Sequence, residues 1–246
     1  MTVIDQEGEF GFASSQMNVA LVSGTSINRS GIFDDWSIET RKTPYGSIGL
    51  KRKGSLIVAN RHGFEDPLPP HRSPYHAYVF ALKDLGVESV VALSSVGSLR
   101  ESLPPGTFVS CGDYLSFAPV TFVDDRPSGF APRLDNGLLD ELAPMCPSEI
   151  VADKIYAQTR GPRFETRVEV RILRGWGCDV VGMTFANEAD LLLESGISVT
   201  SLCMIDNFAH GLGEKKLTMG EFHDAVGENQ MKIDAFLEAF VARFGA

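Results

Sequence analysis

Residues 75–98 read YHAYVFALKDLGVESVVALSSVGS and combine a helix with a buried strand. Apolar residues recur at helical spacing over residues 75–85, and Gly86 stands where a C-cap glycine is expected. Residues 90–93 are an uninterrupted apolar run, which is typical of a strand buried on both faces. The run stops at the small polar residues 94–98, which predict a loop. A helix connected closely to a buried strand indicates an α/β fold.

The same alternation extends along the chain in both directions. Strands are predicted at residues 17–23, 47–53, 56–60, 90–93, 108–111, 154–158, 180–183 and 197–205, the second and third forming a hairpin. Helices are predicted at residues 75–85, 167–176, 188–194 and 219–244. The prediction is one α/β domain over residues 1–246, with a central, mostly parallel or mixed sheet flanked by helices. Residues 1–16 are expected to be an N-terminal extension, and the Pro-rich residues 119–147 a long surface excursion.

Composition narrows the class of protein. The formal net charge of −10 argues against binding nucleic acid or an anionic membrane, although a local basic pocket stays compatible with it. No apolar run approaches the length of a membrane span, and the acidic N-terminus does not resemble a signal peptide. The cysteines are scattered without metal-ligand spacing and predict reduced thiols of a cytoplasmic protein. They are Cys111, Cys146, Cys178 and Cys203.

Three segments at predicted strand ends carry anion-binding chemistry. Residues 24–26 (Gly-Thr-Ser) and 94–98 supply backbone N–H groups and hydroxyls, and residues 61–63 (Arg-His-Gly) add a cation. Ligands of open α/β sheets gather at the carboxyl ends of strands, and an Arg fork can engage two phosphate oxygens. Each segment alone is more often a turn or a surface feature. Together they favour a shared phosphate site.

Other candidate residues are ambiguous from pattern alone. Glu165, in the segment 161–166 (GPRFET), can serve as an N-terminal helix charge, and Asn207 can be a turn residue after a strand. No Gly-x-Ser-x-Gly elbow and no pair of histidines at metal-binding spacing occurs in the sequence. Neither a serine nucleophile nor a metal site is therefore predicted.

Six motifs in order resemble the trimeric purine nucleoside phosphorylase and methylthioadenosine phosphorylase family, from about Val19 to the C-terminal helix. They are residues 23–26 (SGTS), 43–46 (TPYG), 61–63 (RHG) with 69–77 (PPHRSPYHA), 97–100 (GSLR), 161–166 (GPRFET) and 182–184 (GMT). Each motif alone is weak, but six in the family's order are specific.

The resemblance implies a role for each matched position. Thr25, Arg61, His62, Ser94 and Thr184 would surround phosphate. Phe164, Glu165 and Met183 would contact the purine and ribose, Phe222 or His223 the 5′ substituent, while Asn207 and Asp206 would serve catalysis. The resemblance further implies a homotrimer in which a neighbouring subunit closes each pocket. Inorganic phosphate would be a co-substrate, with no other cofactor.

Two positions bear on the choice of base. An ionised Glu165 can accept the ring N–H of a 6-oxopurine, whereas adenine presents a lone pair there. Methylthioadenosine-cleaving members typically carry Ser at the position of Glu165 and Asp at that of Asn207, so this chain is expected to prefer hypoxanthine or guanine. Asp206 leaves a methylthioadenosine phosphorylase as an alternative. Asp66, which stands where the family usually has His near phosphate, leaves a poorly active binding protein as another.

Overall fold

The computed structural model describes residues 17–213 and 218–245. Its strands are β1 (Val19–Ser23), β2 (Ile38–Thr43), β3 (Gly46–Lys53), β4 (Leu56–Asn60), β5 (Ser89–Ser98), β6 (Phe108–Leu115), β7 (Ile150–Gln158), β8 (Val180–Gly182) and β9 (Ser198–Phe208). Its α-helices are α1 (Thr25–Asn28), α2 (Tyr75–Asp84), α3 (Leu139–Leu142), α4 (Arg167–Gly175), α5 (Phe185–Glu194) and α6 (Met219–Phe244). The predicted extension, residues 1–16, lies outside the described residues.

The strands form one mixed sheet in the order β2-β3-β4-β1-β5-β8-β7-β6-β9. Strand β9 also pairs with β5, so β5, β8, β7, β6 and β9 close into a small barrel. Strands β4, β1, β5 and β9 are mutually parallel, and their carboxyl ends therefore meet at one edge. The predicted single α/β domain with a mixed sheet flanked by helices is confirmed.

Helices cover both faces of the sheet because its central strands are apolar on both sides. On one face, Tyr78 of α2 and Leu191 of α5 pack against residues such as Val90. On the other face, Phe236 of α6 packs with Leu93 of the same strand, β5. Consecutive side chains of a strand point to opposite faces, so a central strand supplies both cores.

Three of the differences from the sequence predictions have a clear physical reason. Residues 94–98 continue β5 instead of forming a loop, because their backbone pairs with β8 and β9. Helix α5 begins at Phe185 instead of residue 188, since side chains of β7 accept hydrogen bonds from its first amides. Strand β2 is absent from the sequence predictions, because its side chains are largely exposed and carry no apolar alternation.

The C-terminal helix α6 follows its predicted range and is amphipathic. Ile233, Phe236, Leu237 and Phe240 are buried in the core, whereas Met231 is 81% exposed. Across the part of the chain that the structure describes, no helix combines the length and apolarity needed to cross a membrane.

Replacing Phe236 by Ala should destabilise the protein by roughly 3–5 kcal/mol, the usual cost of emptying a buried aromatic site. The Phe236 side chain is fully buried, and its ring centroid lies 5.6 Å from that of Phe240. Chemical denaturation measures the loss. Met231→Ala on the same helix is the control and should change stability by no more than about 0.5 kcal/mol. Equal losses for the two variants would contradict the assigned core.

Candidate functional site

A cavity of about 590 Å³ opens at the carboxyl ends of the parallel strands. Its wall is built from α1, the residues after β4, the second half of β5, the end of β8, the turn before α4, the end of β9 and the start of α6. Predicted site residues that line it are Thr25, Arg61, His62, Phe164, Glu165, Met183, Thr184, Asn207 and His223. One cavity thus joins the predicted anion-binding residues to the predicted base-binding residues.

Two predicted site residues, Ser94 and Asp206, are placed differently. Ser94 is buried, with an Oγ that has no hydrogen-bond partner, and it is not part of the cavity wall. Its neighbour Ser95 lines the cavity instead, because residues 94–98 continue the strand and alternate between its faces. Asp206 also lies off the wall, behind Ser95. The side chain of Phe222 falls outside the described residues.

Arg61 is the buried cation of the site. Its guanidinium donates to both carboxylate oxygens of Glu188, at 2.5 and 2.9 Å, and to the backbone carbonyls of Val22 and Leu93. Burial alone would lower the pKa of Arg61, but the Glu188 carboxylate raises it on balance, while burial raises the pKa of Glu188 against the effect of Arg61. These bonds use four of the five N–H groups. The expected two-oxygen grip of Arg61 on phosphate is therefore replaced by a single remaining donor.

His62 is held against α1 in a neutral state. Burial, reinforced by the positive charge of Arg61, lowers the pKa of His62 to about 4. Gly24 makes this close packing feasible, since a Cβ there would lie 2.5 Å from His62 Cδ2. At neutral pH the imidazole can donate one hydrogen bond to an anion without carrying charge.

Glu165 forms the opposite end of the cavity. It is 5% exposed, and its Oε1 accepts a hydrogen bond of 2.7 Å from the Thr159 hydroxyl. Burial raises the pKa of Glu165, and the bond from Thr159 opposes that shift. The backbone carbonyl of Glu165 lies 3.1 Å from His210 Nδ1, which anchors the turn. The carboxylate is thereby oriented by its surroundings before any ligand binds.

Two glycines allow the cavity wall to form. Gly161 has φ +63°, and a Cβ there would lie 2.5 Å from Met183 Sδ. A Cβ on Gly182 would lie 2.3 Å from the Tyr156 hydroxyl. That hydroxyl accepts a hydrogen bond from Thr184 N at 3.2 Å and so fixes the cavity residue Thr184.

A β-bulge sets the positions of Asp206 and Asn207. Val96 pairs with Ile205 and Gly97 with Asn207, which leaves Asp206 as the extra residue of β9. Asn207 borders the cavity, and its Nδ2 donates to the Phe208 carbonyl at 2.8 Å. Bulges commonly re-aim side chains next to binding sites.

Asp206 is 3% exposed and lies on the α6 side of the sheet. Its Oδ2 accepts a hydrogen bond from the Ser95 hydroxyl, and its Oδ1 accepts one of 2.9 Å from Asn229 Nδ2. Burial raises the pKa of Asp206 to about 7, although the bond from Asn229 and the charge of Arg29 lower it. The carboxyl group therefore stands close to its titration point at neutral pH.

The rim of the cavity contains residues that the sequence motifs do not include. Arg29 lines it, and its guanidinium lies 2.8 Å from His223 Nδ1. A guanidinium only donates, so Nδ1 of His223 accepts and its other ring nitrogen carries the hydrogen. Met219 provides an apolar neighbour. No sequence motif marks Arg29, and a loop prediction over residues 94–98 gives no reason to choose Ser95 over Ser94.

Asp66, the residue behind the binding-protein alternative, has an exposed side chain that does not line the cavity. It therefore places no carboxylate on the wall. Among the described residues, no group of three or more His, Cys, Asp or Glu side chains is arranged to hold a metal ion.

Sequence and structure comparisons relate this chain to known proteins. Residues 23–242 match the family model described as the phosphorylase superfamily. A probable S-methyl-5′-thioinosine phosphorylase of Methanocaldococcus jannaschii is 35% identical, with 91% of each chain covered. A 6-oxopurine nucleoside phosphorylase of Pyrococcus furiosus is also 35% identical, covering 82% of this chain and 84% of the relative. Methylthioadenosine phosphorylase of Schistosoma mansoni in complex with adenine shares the fold, with a TM-score of 0.76 at 24% identity and coverage of 93% and 92%.

Replacing Glu188 by Gln should lower the free energy of unfolding by roughly 3–5 kcal/mol, because it leaves the buried Arg61 charge unpaired. Chemical denaturation measures the loss. The exposed pair of Glu101 with Arg174 offers the control, and Glu101→Gln should shift the unfolding midpoint far less. Comparable effects for the two variants would show that the buried pair is not structurally important.

Proposed function

Because the chain belongs to the phosphorylase superfamily, we propose that it cleaves purine nucleosides with inorganic phosphate, with 6-oxopurine bases preferred. The products are the free base and a (deoxy)ribose or methylthioribose 1-phosphate. The observation that carries the proposal is the single cavity that joins Thr25, Arg61 and His62 at one end to Phe164 and Glu165 at the other. Nucleoside and phosphate must meet within one such enclosure.

Phosphate is both nucleophile and counter-charge in this reaction. The sugar becomes positively charged as the bond to the base breaks, and a bound oxyanion beside it stabilises that charge. Thr25 and Thr184 offer hydroxyl donors, and His62 and the remaining N–H of Arg61 offer two more. Phosphate held in line with the breaking bond attacks the sugar directly, so no covalent enzyme intermediate is required.

The base is recognised at Glu165 and Asn207. The Thr159 hydroxyl fixes one oxygen of the Glu165 carboxylate, which orients the group for the ring N–H of a 6-oxopurine. An amide nitrogen carries two N–H donors, and one of those on Asn207 Nδ2 is used by Phe208 O. The second can reach the departing base and stabilise its growing negative charge.

The residues at the rim of the cavity are compatible with two 5′ substituents, a hydroxyl and a methylthio group. His223 offers a polar contact for a hydroxyl, and Met219 offers an apolar contact for a methylthio group. Relatives of this chain carry names of both kinds, namely 6-oxopurine nucleoside phosphorylase and S-methyl-5′-thioinosine phosphorylase.

The homotrimer and the cytoplasmic location belong to the same proposal. The trimer rests on the family resemblance. The location is supported by four free cysteines, three of them buried and Cys146 half-buried. Light scattering coupled to gel filtration tests the trimer, and a monomeric mass would contradict it.

Release of free base from inosine, guanosine, adenosine, methylthioinosine and methylthioadenosine, each with and without phosphate, tests the activity. We expect release that requires phosphate, fastest for the 6-oxopurine substrates. Release without phosphate would indicate a hydrolase. Release from adenine nucleosides alone would overturn the base preference. The absence of release from every nucleoside would favour a binding protein.

Exchanging the two base-reading residues should change the substrate preference. Glu165→Ser combined with Asn207→Asp is expected to shift the ratio of kcat/KM toward adenine nucleosides by about ten- to a hundredfold, because it removes the carboxylate that faces adenine's lone pair. Glu169→Ser is the control, since this carboxylate caps α4 without lining the cavity. An unchanged preference in the double variant would refute the assignment of Glu165.

A further inference from the structure

If phosphate is a substrate, a premise taken from the proposed function, the anion-binding end of the cavity must balance the negative charge of a dianion. The positive charge of Arg61 is cancelled by Glu188 at 2.5 Å. His62 is neutral above its lowered pKa of about 4. The positive charge of Arg29 is opposed by any negative charge on Asp206. With Asp206 ionised, these groups carry no net positive charge to receive a dianion.

Asp206 reaches this end of the cavity through Ser95. Thr25 follows β1, Arg61 follows β4, and Ser95 lies on β5, and these three strands are adjacent and parallel. Neighbouring strands are about 4.8 Å apart, so the three positions border one small region. Ser95 is exposed to that region, and its hydroxyl donates to the carboxyl group of Asp206 behind it.

A serine hydroxyl has only one hydrogen to donate. While Asp206 is ionised, that hydrogen points at the carboxylate, and Ser95 presents only lone pairs to the cavity. Once Asp206 is protonated, its carboxylic O–H can donate to Ser95 Oγ, and the serine hydrogen becomes available to a ligand oxygen. Asn229 can keep donating to the other oxygen of Asp206 in both states.

We propose that Asp206 takes up one proton from solvent when a dianionic oxyanion enters the cavity, and that Ser95 then donates its hydroxyl hydrogen to the anion. The proton returns to solvent when the anion leaves or reacts. Asp206 is therefore a positioning and charge-balancing residue that acts through Ser95, and the ligand class is a tetrahedral oxyanion.

The charged and titratable groups around Asp206 support this assignment. From the α1 side, Arg29 is the cation that acts on Asp206, and it is also bonded to His223 of α6. Lys232 of α6 is turned instead to the Gly106 carbonyl, at 2.7 Å. Since the bound state holds one more proton than the free state, affinity should fall as pH rises above the pKa of the free Asp206 carboxyl, about 7.

Sulfate is the suitable probe, because it stays a dianion around neutral pH, so any proton uptake comes from the protein. Isothermal titration calorimetry of the wild-type protein in buffers of different ionisation enthalpy measures that uptake. We expect close to one proton per sulfate near pH 8, and a Kd that rises by about tenfold per pH unit above neutrality. Binding without proton uptake, or no sulfate binding at pH 6.5, would overturn the inference.

Two variants separate the parts of the mechanism. In Asp206→Asn, the amide can donate to Ser95 and accept from Asn229, which mimics the protonated form. Its sulfate affinity should vary less than about twofold between pH 6.5 and 8.5, with no proton uptake. Ser95→Ala should still take up the proton but bind sulfate several-fold more weakly. Uptake in Asp206→Asn equal to wild type would assign the proton elsewhere.

Asp190→Asn is the matched control, because Asp190 is another buried carboxyl group, bonded to the Tyr114 hydroxyl at 2.7 Å and absent from the cavity wall. It should retain the wild-type proton uptake. The nucleoside assay keeps the two proposals apart. Phosphate-dependent cleavage with proton-independent sulfate binding would refute only this inference, whereas proton-linked sulfate binding without cleavage would refute only the proposed function.

Discussion

The buried ion pair of Arg61 with Glu188 is the contact on which the geometry of the site depends. Arg61 follows β4 and bonds to backbone carbonyls of β1 and β5, while Glu188 belongs to α5 and accepts a further bond from Tyr78 of α2. This one ion pair thus ties together three strands and two helices. Fully desolvated charges are tolerated only when every partner is in place, so this corner of the fold has little freedom to rearrange.

The same pair also determines the electrostatics of the cavity. Because Glu188 cancels the charge of Arg61, this residue attracts an anion only weakly. Its main contributions are to hold the surrounding elements in place and to offer one remaining N–H donor. The charge of Arg61 in turn helps to keep His62 neutral. The negative charge of an incoming oxyanion must then be balanced by groups on the other face of the sheet. There Asp206 lies behind Ser95 and interacts electrostatically with Arg29.

The fold is largely predictable from the sequence, and so are the two ends of the site. Apolar runs that end in small polar residues locate β1 and β5, the hairpin pattern locates β4, and helical spacing locates α2, α4 and α6. The motifs select Thr25, His62 and Glu165, and all three line one cavity. Strand β2 has no such signal, because an exposed hairpin strand carries no apolar alternation. The loop prediction for residues 94–98 is wrong, because backbone pairing with a distant strand leaves no local signal.

The α/β class, the order of most elements and the residue types available for an oxyanion and a purine follow from the sequence alone, because apolar periodicity and turn chemistry are local properties of the chain. Which of these groups meet depends on how the elements pack in three dimensions. The bulge at Asp206 shifts the register of β9 by one residue and so separates a cavity residue, Asn207, from a buried one. Likewise, only packing revealed that Glu188 occupies the fork of Arg61. Partnerships between residues more than a hundred positions apart depend on how strands and helices assemble, which no local pattern encodes.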